Sequence, residues 1–369
     1  MSAERIERID CMSLALPLER PLWASGLRIA RREFFVVRVE TASGCVGFGF
    51  HKSRGLILDR IVTDNLAPVV TGMNPLEVER IWSAMHQGTL LAGRTGAVMR
   101  AIGALDIAIW DIRAQLAGLP LHQLLGGYRE TCPILLVTGY YEENPLDLGP
   151  MIKDMNAHLA DGFEQFKIAG GMLGDEDEFE RIRTARQTLG QGPGLVVDVN
   201  WVWHDLKRAL RNARRWEQFD IGWIEEPFPP GSTHMRKRFA DESPVPLGIG
   251  DEQCGVAFFR DLMASQSADV IRVDTPVLGG ITPTLRVIAM ASAYGLPVSP
   301  HIYPEINVHL AAAFGNVTAV EAFSRRSALY QIDRFITPPL EYAGGQAVAP
   351  AAPGLGFTMD WDAMRNFAV

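Results

Sequence analysis

The stretch from Leu195 to Glu321 places an acidic residue or a histidine at the end of one short apolar run after another. The runs read Leu195-Val-Val-Asp198, Trp223-Ile-Glu225, Leu247-Gly-Ile-Gly-Asp251, Val270-Ile-Arg-Val-Asp274, Pro297-Val-Ser-Pro-His301 and Thr318-Ala-Val-Glu321. Their polar ends follow one another at intervals of 20 to 27 residues, about one strand plus one helix. The stretch therefore predicts a (β/α) barrel, in which the C-terminal strand ends converge on one active site.

The same rhythm extends upstream and defines the domain organisation. Two further strands are predicted at 134–138 and 163–168, which brings the series to eight. The first part of the chain instead combines a strand hairpin around residues 41–44 with helical stretches between 56 and 128. We therefore predict an α+β capping domain at residues 1–128, a barrel at 129–330, and a C-terminal segment at 331–369 that packs back on the capping domain.

The composition limits the classes of function. With 43 acidic and 35 basic residues the formal net charge is −8, which argues against a nucleic-acid partner. An anionic small substrate is still compatible, because a bound divalent cation can reverse the local field. No apolar run reaches the roughly 20 residues of a membrane span, and the four cysteines are scattered, as is typical of a reducing compartment. We expect a cytoplasmic protein with no membrane partner.

Three consecutive predicted strands end in carboxylates that could hold a metal. Asp198, Glu225 and Asp251 would repel one another unless a hard cation neutralised them, and oxygen-only ligation suits Mg²⁺. The alternative is that each residue is a helix N-cap or a surface ion pair. The register also stays open, because Glu226 and Glu252 directly follow two of the three candidates.

A histidine and a lysine accompany these carboxylates. His301 and Asp274 end neighbouring strands, and a carboxylate bonded to one ring nitrogen would make the other a general base. The alternative for His301 is a core histidine satisfied by a backbone carbonyl. Lys167, one strand before Asp198, would place a cation beside the metal, or else is a solvated lysine at a strand end. His204 is a reserve candidate.

In combination these motifs closely resemble the enolase superfamily, and within it the mandelate racemase branch. The likeness covers nearly the whole chain. It lies in the helix signature from Ala101 to Gln115 with its continuation to Gly126, and in the barrel motifs Asp198-Val-Asn200, Trp223-Ile-Glu-Glu-Pro227, Gly250-Asp-Glu252, Gly279-Gly-Ile-Thr282 and Ser299-Pro-His301.

The resemblance implies a fold, a cofactor and a first chemical step. The fold is a modified (β/α)7β barrel with an N-terminal capping domain, and the cofactor is Mg²⁺ on Asp198, Glu225 and Asp251. The step is removal of the proton α to a carboxylate, which gives an enediolate. Glu321 matches a position that donates a hydrogen bond to this enediolate, and Asn200 matches one that touches the substrate carboxylate or the metal site.

One departure from the family pattern narrows the reaction. Racemase-type members carry Lys-x-Lys on the second strand, whereas this segment reads Lys167-Ile-Ala169, and no lysine follows Lys237. Racemisation needs acid/base groups on both faces of the α-carbon, and β-elimination needs one. We therefore expect a dehydratase of a sugar acid, an aldonate or an aldarate, that yields a 2-keto-3-deoxy acid. The alternatives are a racemase or epimerase and a catalytically silent binding relative.

Substrate recognition is expected from loops of the capping domain that close over the barrel mouth. We place these loops at residues 18–27 and 48–57. These loops offer Arg20, Trp23, His51, Lys52 and Arg54, of which the first three are candidate substrate contacts, together with Tyr140 after the first barrel strand. Each could equally be an ordinary surface residue near a turn. By analogy alone, a homo-oligomer is expected.

Overall fold

The computed structural model of the protein describes residues 4–24 and 26–369. The chain begins with a three-stranded antiparallel sheet of β1 (Ile6–Ala24), β2 (Leu27–Thr41) and β3 (Val46–Lys52). The expected hairpin is confirmed, since Val36 pairs with Phe50 and Val39 with Gly47. The loop expected at 18–27 is wrong: β1 and β2 continue as a paired ribbon to Ala24 and Leu27, with an irregularity between Pro17 and Leu22. Ser25, which falls within the predicted loop, lies outside the described residues.

Helices cover one side of this sheet. They are α1 (Ala67–Val70), α2 (Val78–Thr89), α3 (Ala97–Leu116) and α4 (Leu121–Leu124), and a π-helical turn at Ile61–Leu66 precedes α1. α3 is apolar on most of its circumference and buries 16 of its 20 residues, because the sheet covers one face and the barrel covers another. It is therefore the element through which the capping domain meets the catalytic domain.

Eight parallel strands then form the barrel. The strands are β4 (Thr131–Thr138), β5 (Gln165–Ala169), β6 (Gly194–Asp198), β7 (Ile221–Glu225), β8 (Leu247–Ile249), β9 (Val270–Val273), β10 (Val298–Pro300) and β11 (Val320–Phe323). The helices between them are α5 (Gly149–Ala160), α6 (Asp175–Leu189), α7 (Leu206–Trp216), α8 (Thr233–Glu242), α9 (Val256–Ala264), α10 (Thr275–Leu278), α11 (Ile281–Ala293) and α12 (Pro304–Ala313). β11 pairs with β4, and a bridge between Val298 and Val317 links β10 to the approach to β11, so the barrel closes.

The topology is the predicted modified barrel. Seven connections between strands contain helices, and within the described residues β11 is followed by no barrel helix. Glu321 lies inside the last strand, opposite Leu135 of β4. The sequence pattern instead predicted a strand that ends at Glu321, whereas β11 continues for two more residues. The side chain of Glu321 is therefore set deeper in the barrel than those of the residues that follow strand ends.

The C-terminal segment joins the two domains. It contains β12 (Ile336–Thr337), β13 (Tyr342–Ala343), β14 (Gln346–Val348), β15 (Thr358–Met359) and α13 (Trp361–Met364). β14 pairs with the start of β4, and the end of the chain returns to β1, where the amide of Val369 donates to the carbonyl of Ser13 at 3.0 Å. No helix within the described ranges combines the length and the apolar character that crossing a membrane requires.

The contact between α3 and the barrel is close and specific. The Asp106 carboxylate accepts hydrogen bonds from the amide of Thr282 at 2.9 Å and from its hydroxyl at 2.7 Å. One turn earlier Gly103 lies against α10, where a Cβ would be only 2.0 Å from the carbonyl oxygen of Pro276. A glycine at 103 is therefore what allows the two backbones to approach.

The close contact between the backbones of α3 and α10 can be tested through the stability of variants at two helical glycines. Gly103→Ala should lower the free energy of unfolding by about 1–3 kcal/mol, because two backbones must move apart. Gly88→Ala is the matched control: its Cβ would meet only Val69 Cγ2 at 3.6 Å, so it should be neutral or stabilising by up to about 1 kcal/mol. Urea unfolding followed by circular dichroism measures both. Equal stability of the two variants would contradict the interdomain packing.

Candidate active site

Three carboxylates meet at the C-terminal mouth of the barrel. Asp198 and Glu225 are the last residues of β6 and β7 and pair directly across the two strands, while Asp251 follows β8 by two residues. One oxygen from each lies within 4.8 Å of the others. The structure thus brings together the three residues that the sequence predicted as metal ligands.

The charge state of this triad fits a hard divalent cation. Burial raises the pKa of Asp198 to about 7 against the opposing effect of Lys167, and burial also raises the pKa of Asp251 well above its ordinary value. Oδ1 of Asp251 is buried and has no hydrogen-bond partner among the described residues. A divalent cation would supply the missing positive charge, and oxygen-only donors are those that Mg²⁺ prefers. We conclude that the residues present fit this metal.

The two neighbouring glutamates have other partners. Glu226 accepts bonds from the amides of Gly250 at 2.6 Å and Asp251 at 2.9 Å, and from the indole of Trp201 at 2.9 Å. Glu252 accepts from Arg54 at 2.7 Å and also from Arg100. Both glutamates have left-handed backbone angles, with φ of 42° and 57°. Their carboxylates are already satisfied, which favours Glu225 and Asp251 as the ligands.

His301 and Asp274 form a hydrogen-bonded pair beside the triad. Nδ1 of His301 lies 2.8 Å from Oδ2 of Asp274, and its Nε2 lies 3.7 Å from Oδ2 of Asp251. The other oxygen of Asp274 caps α10 by accepting from the amide of Val277 at 3.2 Å. Burial, followed by the charges of Lys167 and Arg272, lowers the pKa of His301 well below its ordinary value. The ring is therefore neutral at physiological pH, with Nε2 available to take up a proton.

Two buried cations hold the carboxylates together. Nζ of Lys167 lies 2.6 Å from Glu225, 3.0 Å from Glu321 and 3.3 Å from Asp198. Although burial alone would lower the pKa of Lys167, these three acids raise it well above its usual value, so the lysine is a fixed positive charge. Arg272 is fully buried; its Nε lies 2.9 Å from Oε2 of Glu225 and its Nη2 contacts Glu321. Oε1 of Glu321 is left without a partner among the described residues.

The loop after β6 is held in an unusual conformation. Asn200 and Trp201 have φ of 54° and 62°, in a region that residues with a side chain rarely adopt. The amide of Asn200 donates to Oδ1 of Asp198 at 3.0 Å, and the amide of Trp201 donates to the carbonyl of Glu226 at 2.7 Å. These bonds tie the loops after β6 and β7 together, and both side chains are brought to the cavity.

A cavity of about 390 Å³ lies over this cluster. From the barrel it is lined by Tyr140, Lys167, Asp198, Asn200, Trp201, Asp251, Glu252 and His301, and from the capping domain by Ala24, Leu27, Ile29, Arg32, Lys52 and Arg54. Of the predicted substrate contacts, Asn200 and Tyr140 are therefore in place. Both domains contribute to the walls, as expected for a capped barrel mouth.

Three other predicted substrate contacts lie elsewhere, and His204 is exposed outside the lining. Arg20 is exposed, lies in the irregular stretch of β1 between Pro17 and Leu22, and faces Glu142 at 3.6 Å and Asp154 at 4.0 Å. Trp23 pairs with Tyr141 through its backbone and packs under Arg28. His51 is completely buried, with Nδ1 bonded to the carbonyl of Lys52 at 3.0 Å. None of the three lines the cavity, so their expected contact with substrate is corrected: other contacts hold Arg20 and Trp23, and His51 is buried within the sheet.

Sequence reasoning missed Arg272, Arg32 and Trp201. Arg272 had a readable signal: it is a charged residue inside an apolar strand, two positions before Asp274 and hence on the same face. Arg32 lies within a strand that reads as ordinary capping sheet, and its place in the cavity wall depends on how the domains dock. Trp201 had no signal beyond its closeness to Asp198, because the backbone conformation that aims it is not encoded in residue type.

The chain matches two family profiles that together cover most of its length. Residues 9–126 match the mandelate racemase / muconate lactonizing enzyme N-terminal domain, and residues 151–363 match the enolase C-terminal domain-like family. The division between the two matches falls between α4 and α5, around the first barrel strand.

Comparisons with individual proteins point to the same family. The chain is 27% identical over 376 residues to L-talarate/galactarate dehydratase of Salmonella typhimurium, covering 99% of this chain and 91% of that protein. It resembles L-talarate dehydratase from Polaromonas sp. JS666 complexed with Mg and L-glucarate, with a TM-score of 0.89, 29% identity and coverage of 99% and 98%. A racemase from Streptomyces coelicolor A3(2) with bound magnesium gives a TM-score of 0.90, 27% identity and coverage of 99% and 100%. The magnesium in both structures agrees with the cofactor that the triad would hold.

Removing one ligand tests the metal site directly. Loss of a residue that only supports a metal ligand typically weakens metal binding by about 10–100-fold. Asp198→Asn should weaken Mg²⁺ binding by more than this, because one of the three anionic ligands becomes neutral. Isothermal titration calorimetry with Mg²⁺ measures the change. Asp362→Asn, an exposed acid in α13 with 84% of its side chain accessible, is the matched control and should bind like the wild type. Equal Mg²⁺ affinity in the two variants would show that the metal is not held by the triad.

Proposed function

Because the chain belongs to the mandelate racemase / muconate lactonizing enzyme family of the enolase superfamily, we propose that it is a Mg²⁺-dependent sugar-acid dehydratase. It would remove the proton α to the carboxylate of an aldonate or aldarate and eliminate the β-hydroxyl, giving a 2-keto-3-deoxy acid. The observation that carries the proposal is the His301–Asp274 pair beside the carboxylate triad, with His301, Asp198 and Asp251 lining one cavity and alanine at position 169. The dehydratase name of the Salmonella relative supports a hydro-lyase.

The proposed base is prepared for its task by its surroundings. Asp274 accepts the Nδ1 proton of His301, which fixes the ring and leaves the lone pair of Nε2 on the cavity side. Because the pKa of His301 is lowered, the ring carries no charge before the reaction and can accept the proton that leaves the α-carbon. Asp274 then stabilises the imidazolium that forms.

The remaining charges would hold the substrate and the negative charge that develops on it. Mg²⁺, when bound by Asp198, Glu225 and Asp251, would act as a Lewis acid toward the substrate carboxylate. Lys167 offers a fixed positive charge beside the same site, and Asn200 offers an amide. Oε1 of Glu321 has no partner among the described residues, so it is the atom of this residue that could meet the enediolate, and donation of a hydrogen bond from it would require the proton to be on this carboxyl group.

The elimination balances without any co-reactant. The α-carbon–hydrogen bond breaks and its proton passes to Nε2 of His301. The β-carbon–oxygen bond then breaks, and the same proton returns to the departing hydroxyl, so that water leaves. The resulting enol tautomerises to the 2-keto-3-deoxy acid. Neither oxidant nor reductant is required, and one acid/base residue serves both steps.

The position of Ala169 favours elimination over racemisation. Ala169 ends β5 directly opposite Asp198, where racemase-type members carry a second lysine. Lys167 is committed to three carboxylates. Tyr140 also lines the cavity, but burial raises the pKa of its phenol, which disfavours a role as base. A racemase or epimerase would need such a group on the second face, which is the reason that we place it second.

Replacing the proposed base tests the assignment. His301→Asn should lower kcat by about 10²–10⁴-fold or more, because no other group replaces the proton acceptor, while Mg²⁺ affinity stays close to that of the wild type. Steady-state assays for keto acid and calorimetry with Mg²⁺ measure the two quantities. His234→Asn, an exposed histidine of α8, is the control and should retain wild-type rates. Undiminished turnover by His301→Asn would remove His301 from the mechanism.

A further inference from the structure

Two cations in the cavity wall have no acidic partner among residues 4–24 and 26–369. Arg32 and Lys52 are 4% and 5% exposed. Nε of Arg32 donates to the carbonyl of Leu329 at 2.8 Å, but its Nη2 is buried and bonds to nothing in the described part of the chain. Nζ of Lys52 lies 5.0 Å above the ring of Phe323, and neither side chain forms an ion pair with any described carboxylate. Unpaired buried charges are costly, so their presence calls for an explanation.

The other cations of the site are all neutralised within the protein. Arg54 and Arg100 share Glu252, which joins the capping domain to the loop after β8. Lys167 and Arg272 are surrounded by the carboxylates of the barrel mouth. The paired and unpaired cations lie close together, because Arg32 and Lys52 line the same cavity as Lys167. Arg32 and Lys52 come from the adjacent strands β2 and β3. The site therefore has an excess of positive charge on its capping-domain wall alone.

The surroundings of the pair keep it in place without neutralising it. The guanidinium of Arg32 lies 5.9 Å from the ring of Tyr140 and 5.8 Å from that of Phe323. The backbone of Lys52 is fixed at its amide by the hydroxyl of Tyr303 at 3.1 Å. Burial and the charges of Arg32 and Arg54 lower the pKa of Lys52, and the opposing effect of Glu321 and Asp274 does not offset this. An anion between the two side chains would relieve both costs.

We propose that Arg32 and Lys52 bind a second carboxylate of the substrate, so that the enzyme is selective for aldarates over aldonates. This inference rests on the proposed function for the first carboxylate, which would lie at the metal. An arginine fork suits a planar carboxylate, and a lysine adds a point charge to the same group. An adjoining cavity of about 460 Å³ shares Arg32, Lys52 and Arg54 in its lining, which gives the distal end of a sugar acid room to lie along this wall.

The test compares acids that differ only at the far end. The probes are D-glucarate with D-gluconate, galactarate with D-galactonate, and D-mannarate with D-mannonate, with 6-phosphogluconate as a phosphate-bearing probe. Calorimetry uses full-length protein with saturating Mg²⁺ in the His301→Asn background, and initial rates use protein with His301 intact. The variant is Lys52→Met, which keeps the length of the side chain and removes its charge. Lys153→Met, an exposed lysine of α5, is the matched control.

We expect at least one aldarate to bind more tightly than its aldonate. Lys52→Met should weaken that binding by about 10- to 100-fold, the usual worth of a charge-assisted hydrogen bond, and leave the matching aldonate unchanged. Lys153→Met should leave both unchanged. The kinetic counterpart is a higher KM for the aldarate with a smaller change in kcat, since the contact is remote from the reacting carbon.

The outcomes separate this inference from the proposed function. Lys52-dependent binding of an aldarate without any keto acid from protein that retains His301 would support the second-carboxylate site and contradict the dehydratase. If keto acid formed equally well from aldonates and Lys52→Met had no effect, the dehydratase would be supported and the second-carboxylate site would be contradicted. Tighter binding of 6-phosphogluconate than of every aldarate would overturn the carboxylate assignment. Failure of all aldarates to bind more tightly than their aldonates would overturn it as well.

Discussion

The structure depends on compensation of charge in a buried space. Asp198, Glu225 and Asp251 bring their oxygens within 4.8 Å of one another, and Glu321 and Asp274 lie beside them. Isolated carboxylates do not remain ionised in such a place. Lys167 and Arg272 balance part of the charge, and a divalent cation would balance the rest. Burial and then the same two cations lower the pKa of His301, so the arrangement of charges around the carboxylates also prepares the proposed base.

The capping domain completes this arrangement. α3 docks on the barrel through Gly103 and Asp106, and its Arg100 contacts Glu252, the residue directly after the proposed ligand Asp251. Glu252 also receives Arg54 from the segment after β3, so one barrel glutamate anchors two capping-domain elements beside the metal site. Substrate recognition and metal binding are thereby built on a common frame. Arg32 and Lys52, which have no acidic partner in the described part of the chain, line the cavity beside the paired Arg54.

The barrel and its charged mouth could be predicted from sequence because both obey local rules. A strand and a helix repeat at a nearly constant interval, and residues at C-terminal strand ends must converge, which placed Asp198, Glu225, Asp251 and His301 together. It was harder to predict which acid of each adjacent pair, Glu225 or Glu226 and Asp251 or Glu252, would face the metal site. Glu226 and Glu252 have left-handed backbone angles, and the residue types do not reveal this conformation. Trp23 and His51 were misplaced because pairing along the β1–β2–β3 sheet fixes their backbone, whereas Arg20 falls in the irregular stretch between Pro17 and Leu22 and contacts acids outside the cavity. Arg32 becomes a cavity residue only through docking of the two domains.

The central claim is that a neutral histidine and a Mg²⁺ site of three carboxylates carry out one-sided proton removal followed by loss of water. The most direct measurement is incubation of a panel of sugar acids in D₂O with and without Mg²⁺, followed by NMR. The account predicts a 2-keto-3-deoxy acid from at least one member, formed with Mg²⁺ and not after its removal by chelation. Exchange of the α-proton for deuterium with inversion of configuration and no keto acid would contradict it.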